Sequence, residues 1–275
     1  MAESANSNLA FRFFTALIAV PAILGLIYKA PPVAFFGLIA VATFIGGLEL
    51  FQMTHKDDRL AQMVHALTCV GVSCVIYFLG DDPRALLATM AAVPVFALLF
   101  PLVRLGNIET AALRIGAGAL GPLYVGTMTF LPRLIKERGT EGSHYVILVL
   151  MFAWFADTGG YFAGRFFGKH KLYEAVSPKK TIEGSVGGLA GSVVGALSAH
   201  FLFLPSLPLL NGIVLALVAG ALGQAGDLGE SLIKRSTGVK DSGALLPGHG
   251  GILDRVDAVL VCAPVVYFYT RFVVG

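Results

Sequence analysis

Three short stretches of this sequence combine carboxylates, cations and glycines at spacings that can do chemistry. In residues 226–235, Asp227, Glu230, Ser231 and Lys234 recur at i, i+3, i+4 and i+7, which on a helix places them along one face. In residues 249–257, Asp254 and Asp257 again stand three apart, at the start of an apolar run where a helix N-terminus favours negative charge. The turn before them, Pro247, Gly248, His249, Gly250 and Gly251, bares backbone N–H groups that an anion can approach. The third stretch opens with Asp157, Thr158, Gly159 and Gly160, passes Arg165, and runs on through Lys169, Lys171, Lys179 and Lys180. Mg²⁺ is usually held by one or two carboxylates together with the phosphates of its substrate. Carboxylates beside Lys, Arg and glycine-rich turns therefore suit a nucleoside triphosphate carrying Mg²⁺.

The elements that must position these groups are membrane helices. Of 275 residues, 56% are hydrophobic and only 13% charged, with a mean hydropathy of +0.78. A soluble domain carries about 25% charged residues, so this chain cannot cover a water-facing surface. A formal charge of +3 is too small to point to nucleic acid. A bilayer-spanning helix needs about 20 apolar residues, and windows of that length predict nine spans: roughly 11–28, 33–52, 62–80, 85–103, 113–132, 144–165, 185–204, 207–227 and 252–274. The fold expected is an all-α polytopic bundle, a single membrane domain over 1–275. Helices within 1–140 form a scaffold, and those within 144–274 carry the chemistry. With the N-terminus cytoplasmic, 14 of the 20 Lys and Arg residues fall on the cytoplasmic side. Only Lys29, Arg84, Arg133, Lys136, Arg138 and Arg271 fall on the other side, as the positive-inside rule requires. All three polar stretches then face the cytoplasm.

Plainer readings compete with each feature. Lys169 and Lys171 also serve as topology determinants or contacts to anionic lipid, and His249 as an ordinary loop histidine. Glu49 and His200, each inside an apolar window, read best as interhelical hydrogen-bonding groups and less well as relay groups. Cys69, Cys74 and Cys262 lack metal-ligand spacing and read as small packing residues. The glycines of 184–195 read as a helix-packing face rather than a phosphate loop, since no strand precedes them.

At these residues the sequence resembles the CDP-diacylglycerol synthase (phosphatidate cytidylyltransferase) family. The stretch 231–257, SLIKRSTGVKDSGALLPGHGGILDRVD, is similar to that family's signature from end to end, and FADTGGYFAGRFFGKHKL and SPKKTIEG to a second characteristic region. The resemblance implies transfer of CMP from CTP to phosphatidic acid, with Mg²⁺ and a second, monovalent cation such as K⁺, by a homodimer in the inner membrane. It implies metal binding at Asp227 and Asp254 with Glu230 and Asp257 close by, and catalytic roles for Asp227, Asp254, Asp257, Lys234 and Arg255. Asp157, Arg165, Lys179, Lys180, Ser231, Arg235, Lys240, His249, Gly250 and Gly251 are the expected substrate-binding residues. Two rivals stand beside it. A CTP-using lipid kinase would share carboxylates at helix ends, and a transporter would explain intramembrane charge but usually shows interrupted helices in both halves.

Overall fold

In a computed structural model of the chain, residues 20–243 and 250–274 are described. After helical residues 20–28 come α1 (Pro32–Thr54), α2 (Arg59–Leu79), α3 (Pro83–Val103), α4 (Ala111–Gly126), α5 (Phe130–Arg138) and α6 (Thr140–Phe167). A two-stranded hairpin follows, β1 (Lys171–Tyr173) and β2 (Ser177–Thr181), then α7 (Ile182–Leu202), α8 (Leu209–Ser236) and α9 (Leu253–Tyr269). Local chemistry starts these helices where the sequence changes character. Asp58 accepts from the Ala61 amide at 3.0 Å to cap α2, and Pro83 follows Asp82, which accepts from the Arg84 amide at 2.9 Å to cap α3. Thr181 Oγ1 accepts from the Gly184 amide at 3.1 Å, ending β2 and starting α7 in one residue.

Among the described residues, seven helices are long and apolar enough to cross a bilayer: Pro32–Thr54, Arg59–Leu79, Pro83–Val103, Thr140–Phe167, Ile182–Leu202, Leu209–Ser236 and Leu253–Val274. The chain is an all-α, multi-pass membrane protein. Two of the nine windows are absent from this set. Residues 11–19, half of the window 11–28, lie outside the described residues. The glycine-rich window 113–132 is broken: α4 gives way at Thr127–Thr129 to a 3₁₀ turn before α5 resumes the same direction.

Polar contacts sort the loops into two ends of the bundle. At one end, Arg104 pairs with Asp58 at 2.6 Å, Lys56 donates to the Thr237 carbonyl at 2.6 Å, and Arg235 reaches the Val176 carbonyl of the hairpin at 3.4 Å. At the other, Arg133 pairs with Asp81, Arg138 donates to the Thr270 carbonyl, Ser143 to that of Ile27, and Ser206 to Glu141. Arg114 at the start of α4 belongs to the first end and Arg133 in α5 to the second, so α4 and α5 together run from end to end.

The most extensive helix pairing is α6 with α7, and it is made by glycine. Gly159, Gly160 and Gly164 lie against Gly184, Gly187, Gly188 and Gly191, and a Cβ at Gly191 would run into the Phe155 carbonyl oxygen. The packing face expected over 184–195 is thus observed, and backbone meets backbone along it. Glu49 and His200 are both hydrogen-bonded, His200 Nδ1 lying 2.8 Å from the Leu207 carbonyl oxygen. Cys69 and Cys262 are free and fully buried, and Cys74 is free and half-buried.

Candidate active site

The site forms where α6, α8 and α9 meet the hairpin at the end of the bundle marked by Thr237. Asp157 of α6 and Asp227 of α8 face each other across a cavity of about 350 Å³, whose wall also holds Arg165, Lys179, Lys180, Ser185 and Gln224. Lys180, carried by β2, is hydrogen-bonded to the Asp227 carboxylate. Arg165 donates to the Tyr161 hydroxyl at 2.7 Å, one turn back on α6. Gln224 and Ser185 bind each other twice, side chain to side chain at 2.5 Å and side chain to backbone at 3.1 Å, which ties α8 to α7.

About two turns beyond Asp227 along α8, Lys234 stands between two carboxylates. It donates to Glu230 at 3.0 Å and to Asp254 of α9 at 2.6 Å. Glu230 is 1% exposed, and its Oε1 has no hydrogen-bond partner. An unpaired buried carboxylate oxygen is costly. Asp257, one turn beyond Asp254, lies within electrostatic reach of Asp227, Glu230 and Asp157, and Arg255 within reach of Asp157. Four carboxylates expected from sequence to share a site, Asp227, Glu230, Asp254 and Asp257, are therefore neighbours, but Asp227 is held by Lys180 while Glu230 and Asp254 are held by Lys234. Among the described residues, no three His, Cys, Asp or Glu side chains converge tightly enough to grip an ion by themselves. Such a set needs substrate phosphates to complete a Mg²⁺ shell.

The turn into α9 is built on two carboxylates, the half-buried Asp254 of α9 itself and the buried Glu49 of α1. Asp254 Oδ2 accepts from the Ser242 amide at 2.9 Å and the Gly251 amide at 2.8 Å, and lies 2.9 Å from the Ser242 hydroxyl. Glu49, five residues before the end of α1 and 4% exposed, accepts from the Ile252 and Leu253 amides at 2.9 and 2.8 Å. These are first-turn donors that an isolated helix leaves unsatisfied. Glycine is required where these carboxylates crowd the chain. Gly250 has φ +80°, and a Cβ there would stand 2.7 Å from Asp254 Oδ2; one on Gly251 would strike Ser242 and Glu49.

Of the other expected site residues, Ser231 is half-buried on α8, Arg235 is occupied bracing the hairpin, and Lys240 is exposed and outside the cavity wall. His249 lies outside the described residues. Lys171 opens an ordered hairpin, with Lys169 at its base. Glu183 accepts from the Lys169 and His170 amides at its base, and Lys171 donates to the Pro178 carbonyl at 2.5 Å across it. Sequence reasoning did not connect Glu49, Ser242 or Gln224 to this site. A carboxylate or an amide inside an apolar window was the available signal, and it names no partner.

Comparison with known proteins bears on the whole chain. A profile of the cytidylyltransferase family matches residues 10–273. The chain is 35% identical over 261 residues to a Synechocystis sp. protein named phosphatidate cytidylyltransferase, covering 86% of this chain and 87% of that one. It is 44% identical over 130 residues to a protein of that name in Staphylococcus saprophyticus, covering 47% of this chain and 50% of that one. A third, from Staphylococcus aureus, is 46% identical over 130 residues, covering 46% and 49%.

Proposed function

The chain belongs to the cytidylyltransferase family, and from that membership we propose that it transfers CMP from CTP to phosphatidic acid, giving CDP-diacylglycerol and pyrophosphate. The observation that carries this reading is Asp227, held by Lys180 in the wall of a cavity shared with Arg165 and Lys179. A triphosphate needs that mixture, cations for its charge and carboxylates for its metal. In the reaction a phosphatidate oxygen forms a bond to the α-phosphorus of CTP. The bond from that phosphorus to the β-phosphate bridging oxygen breaks, and its electron pair leaves with pyrophosphate. Phosphatidate is already an anion near neutral pH, so the protein's work is positioning and charge neutralisation rather than proton removal.

Asp227 and Asp254, with Glu230 and Asp257, would hold Mg²⁺ and a monovalent cation such as K⁺. The residues fit: all four are hard oxygen donors, and Glu230 keeps an unpaired buried oxygen. When bound, Mg²⁺ supplies positive charge to the phosphates. Lys179, Lys180 and Arg165 neutralise the triphosphate, and Arg255 acts alongside them. Lys234 holds Asp254 and Glu230 in place. Gly250 and Gly251 let the turn close on the Asp254 and Glu49 carboxylates, which take the Gly251, Ile252 and Leu253 amides, so these glycines serve the substrate site by placing Asp254 and not by baring N–H groups to an anion. Ser231, Arg235, Lys240 and His249 complete the assignment as substrate contacts.

Purified protein given α-labelled CTP, Mg²⁺ and phosphatidic acid is expected to move label into the lipid phase. Label entering lipid only from γ-labelled CTP would make the protein a kinase and overturn the proposal. We place the protein in the inner membrane as a homodimer, with the N-terminus and the site in the cytoplasm. The charge asymmetry of the loops supports that orientation. Single cysteines introduced in 169–180 are expected to react with an impermeant thiol reagent only from the cytoplasmic side, and one at Gly275 only from the opposite side. Reaction of both from one side would remove a span from the count.

The lysines divide by environment. Lys234 is buried between two carboxylates, whereas Lys169 and Lys171 are exposed on the hairpin. Lys234→Gln is expected to lower kcat at least about tenfold, equivalent to roughly 1.4 kcal/mol. Lys169→Gln and Lys171→Gln should chiefly raise KM for CTP, by an amount that shrinks as salt is added. Steady-state kinetics at several salt concentrations check the split. Loss of kcat in Lys169→Gln with Lys234→Gln unaffected would place the phosphates against the other loop.

A further inference from the structure

A second cavity, of about 720 Å³, opens between α1, α4 and α8. On α8 it is lined by Gly226, Gly229, Glu230, Ile233 and Ser236, which helical spacing puts on the side away from Gln224 and Asp227. α8 is thus a partition, with the basic cavity on one side and this groove on the other. The groove wall is mostly apolar, formed by Leu50, Leu113, Leu120, Leu123 and Ile233. Beside the hydroxyls of Thr54 and Ser236, which bond to backbone carbonyls, it carries the Tyr124 hydroxyl and Glu230 Oε1, both buried and both without a hydrogen-bond partner.

Toward the Thr237 end of the bundle the groove runs into a polar cavity of about 450 Å³, and the two share Thr54, Leu113 and Ser236. The polar cavity is lined by Lys56, Arg104 and Arg114, with Asp57 and Asp58. Asp58 is already paired with Arg104 at 2.6 Å. Burial, then His65 and Arg114, bring the neighbouring His55 imidazole down to about 4, so it adds no charge at neutral pH. Arg114 is 6% exposed. It donates through Nη2 to the Leu105 and Asn107 carbonyls at 2.5 and 2.7 Å, and its Nε has no partner. The result is an apolar trunk within the membrane helices ending in a cationic mouth, the profile of a phosphate-bearing acyl lipid.

Resting on phosphatidate as the substrate, we propose that this groove seats one of its acyl chains, with the lipid phosphate at the Lys56–Arg114 end. The position is close to the chemistry. Thr237, whose carbonyl accepts from Lys56 at 2.6 Å, lies three residues from Lys234, which binds Asp254 at 2.6 Å. Three residues are about 4.5 Å of helix rise. The phosphate therefore waits within one turn of Lys234, which holds Asp254 and Glu230, and passes round the end of α8 to meet the nucleotide held on its other face.

Gly116 and Gly229 line the groove, and a Cβ added to either meets no atom within 4 Å, so larger side chains there fill the groove and leave the packing intact. Gly116→Phe and Gly229→Leu are expected to raise KM for long-chain phosphatidate at least about tenfold, with KM for CTP within about twofold. Water-soluble dihexanoyl phosphatidate should show less than about a threefold effect, and its turnover reports a folded site in the same preparation. Unchanged long-chain KM in both variants would overturn the proposal. Independently of turnover, wild-type protein irradiated with phosphatidate bearing a diazirine in its acyl chain is expected to be labelled within 112–124 and 226–236. Label confined to α6 and α7, or a groove closed to lipid by a second copy of the chain, would overturn it. If label appears there but no CMP reaches lipid, the groove stands and the transferase reading falls.

Discussion

Asp227→Asn is expected to lower kcat for CMP transfer at least about a thousandfold, roughly 4 kcal/mol, while the protein inserts and purifies as before. Asp227 sits in the cavity wall, partly exposed and paired with Lys180. Asparagine keeps its shape and one acceptor oxygen but removes the charge that pairs with Lys180 and that the proposed metal would require. The fold loses little, because a partly exposed ion pair contributes about 1 kcal/mol or less. Asp254→Asn should abolish turnover as completely and also loosen the turn, since an amide nitrogen would face the N–H donors of Ser242 and Gly251. Initial rates over a wide range of Mg²⁺ check both. A rate within tenfold of wild type from either variant, at any Mg²⁺ concentration, would remove the metal assignment.

The second large effect is expected far from the signature in sequence. Glu49→Ala leaves the Ile252 and Leu253 amides and one side of the Ser242 hydroxyl without an acceptor inside the membrane domain. Leaving buried donors unsatisfied costs about 1–3 kcal/mol each, so a loss near 3 kcal/mol is a modest expectation. Thermal unfolding in detergent should move down by roughly 5–10 °C for a chain of this size. Activity should fall at least about tenfold, because the Ser242 that Glu49 supports also holds Asp254. Glu49→Gln keeps one acceptor and should fall between. An Ala variant with wild-type stability and rate would reduce Glu49 to a bystander.

How much was legible beforehand follows from what each signal measures. Hydropathy windows report apolar length, so seven helices fall where the windows fall, and the eighth window stops at 227 where charge begins. Hydrogen bonding takes no account of charge, and α8 runs on to Ser236, carrying Asp227, Glu230 and Lys234 on continuous helix. The window at 113–132 passed over the 3₁₀ turn at Thr127–Thr129 because nothing in its composition marks a change of pitch. The hairpin escaped notice because its strands are short and its order comes from Glu183 beneath it. Spacing brought the carboxylates of α8 and α9 onto helix faces, since i and i+3 are local. It could not reveal which lysine each would meet, nor that Glu49 would bind amides some 200 residues away.

The glycine seam between α6 and α7 works as a vernier. Where side chains interdigitate, two helices can slip by a rotamer change and re-engage. Here a Cβ on Gly159, Gly187 or Gly191 would overlap the Gly187 carbonyl, the Ala163 Cβ or the Phe155 carbonyl, so each backbone sits in a notch of the other. One registration is permitted. Asp157 rides on one scale of that vernier, and Lys180 is coupled to the other through Thr181 at the start of α7. Their relative height, and with it the placing of the carboxylate and the cation that line one cavity, is therefore set by the chain's bare backbone and not by any side chain free to relax.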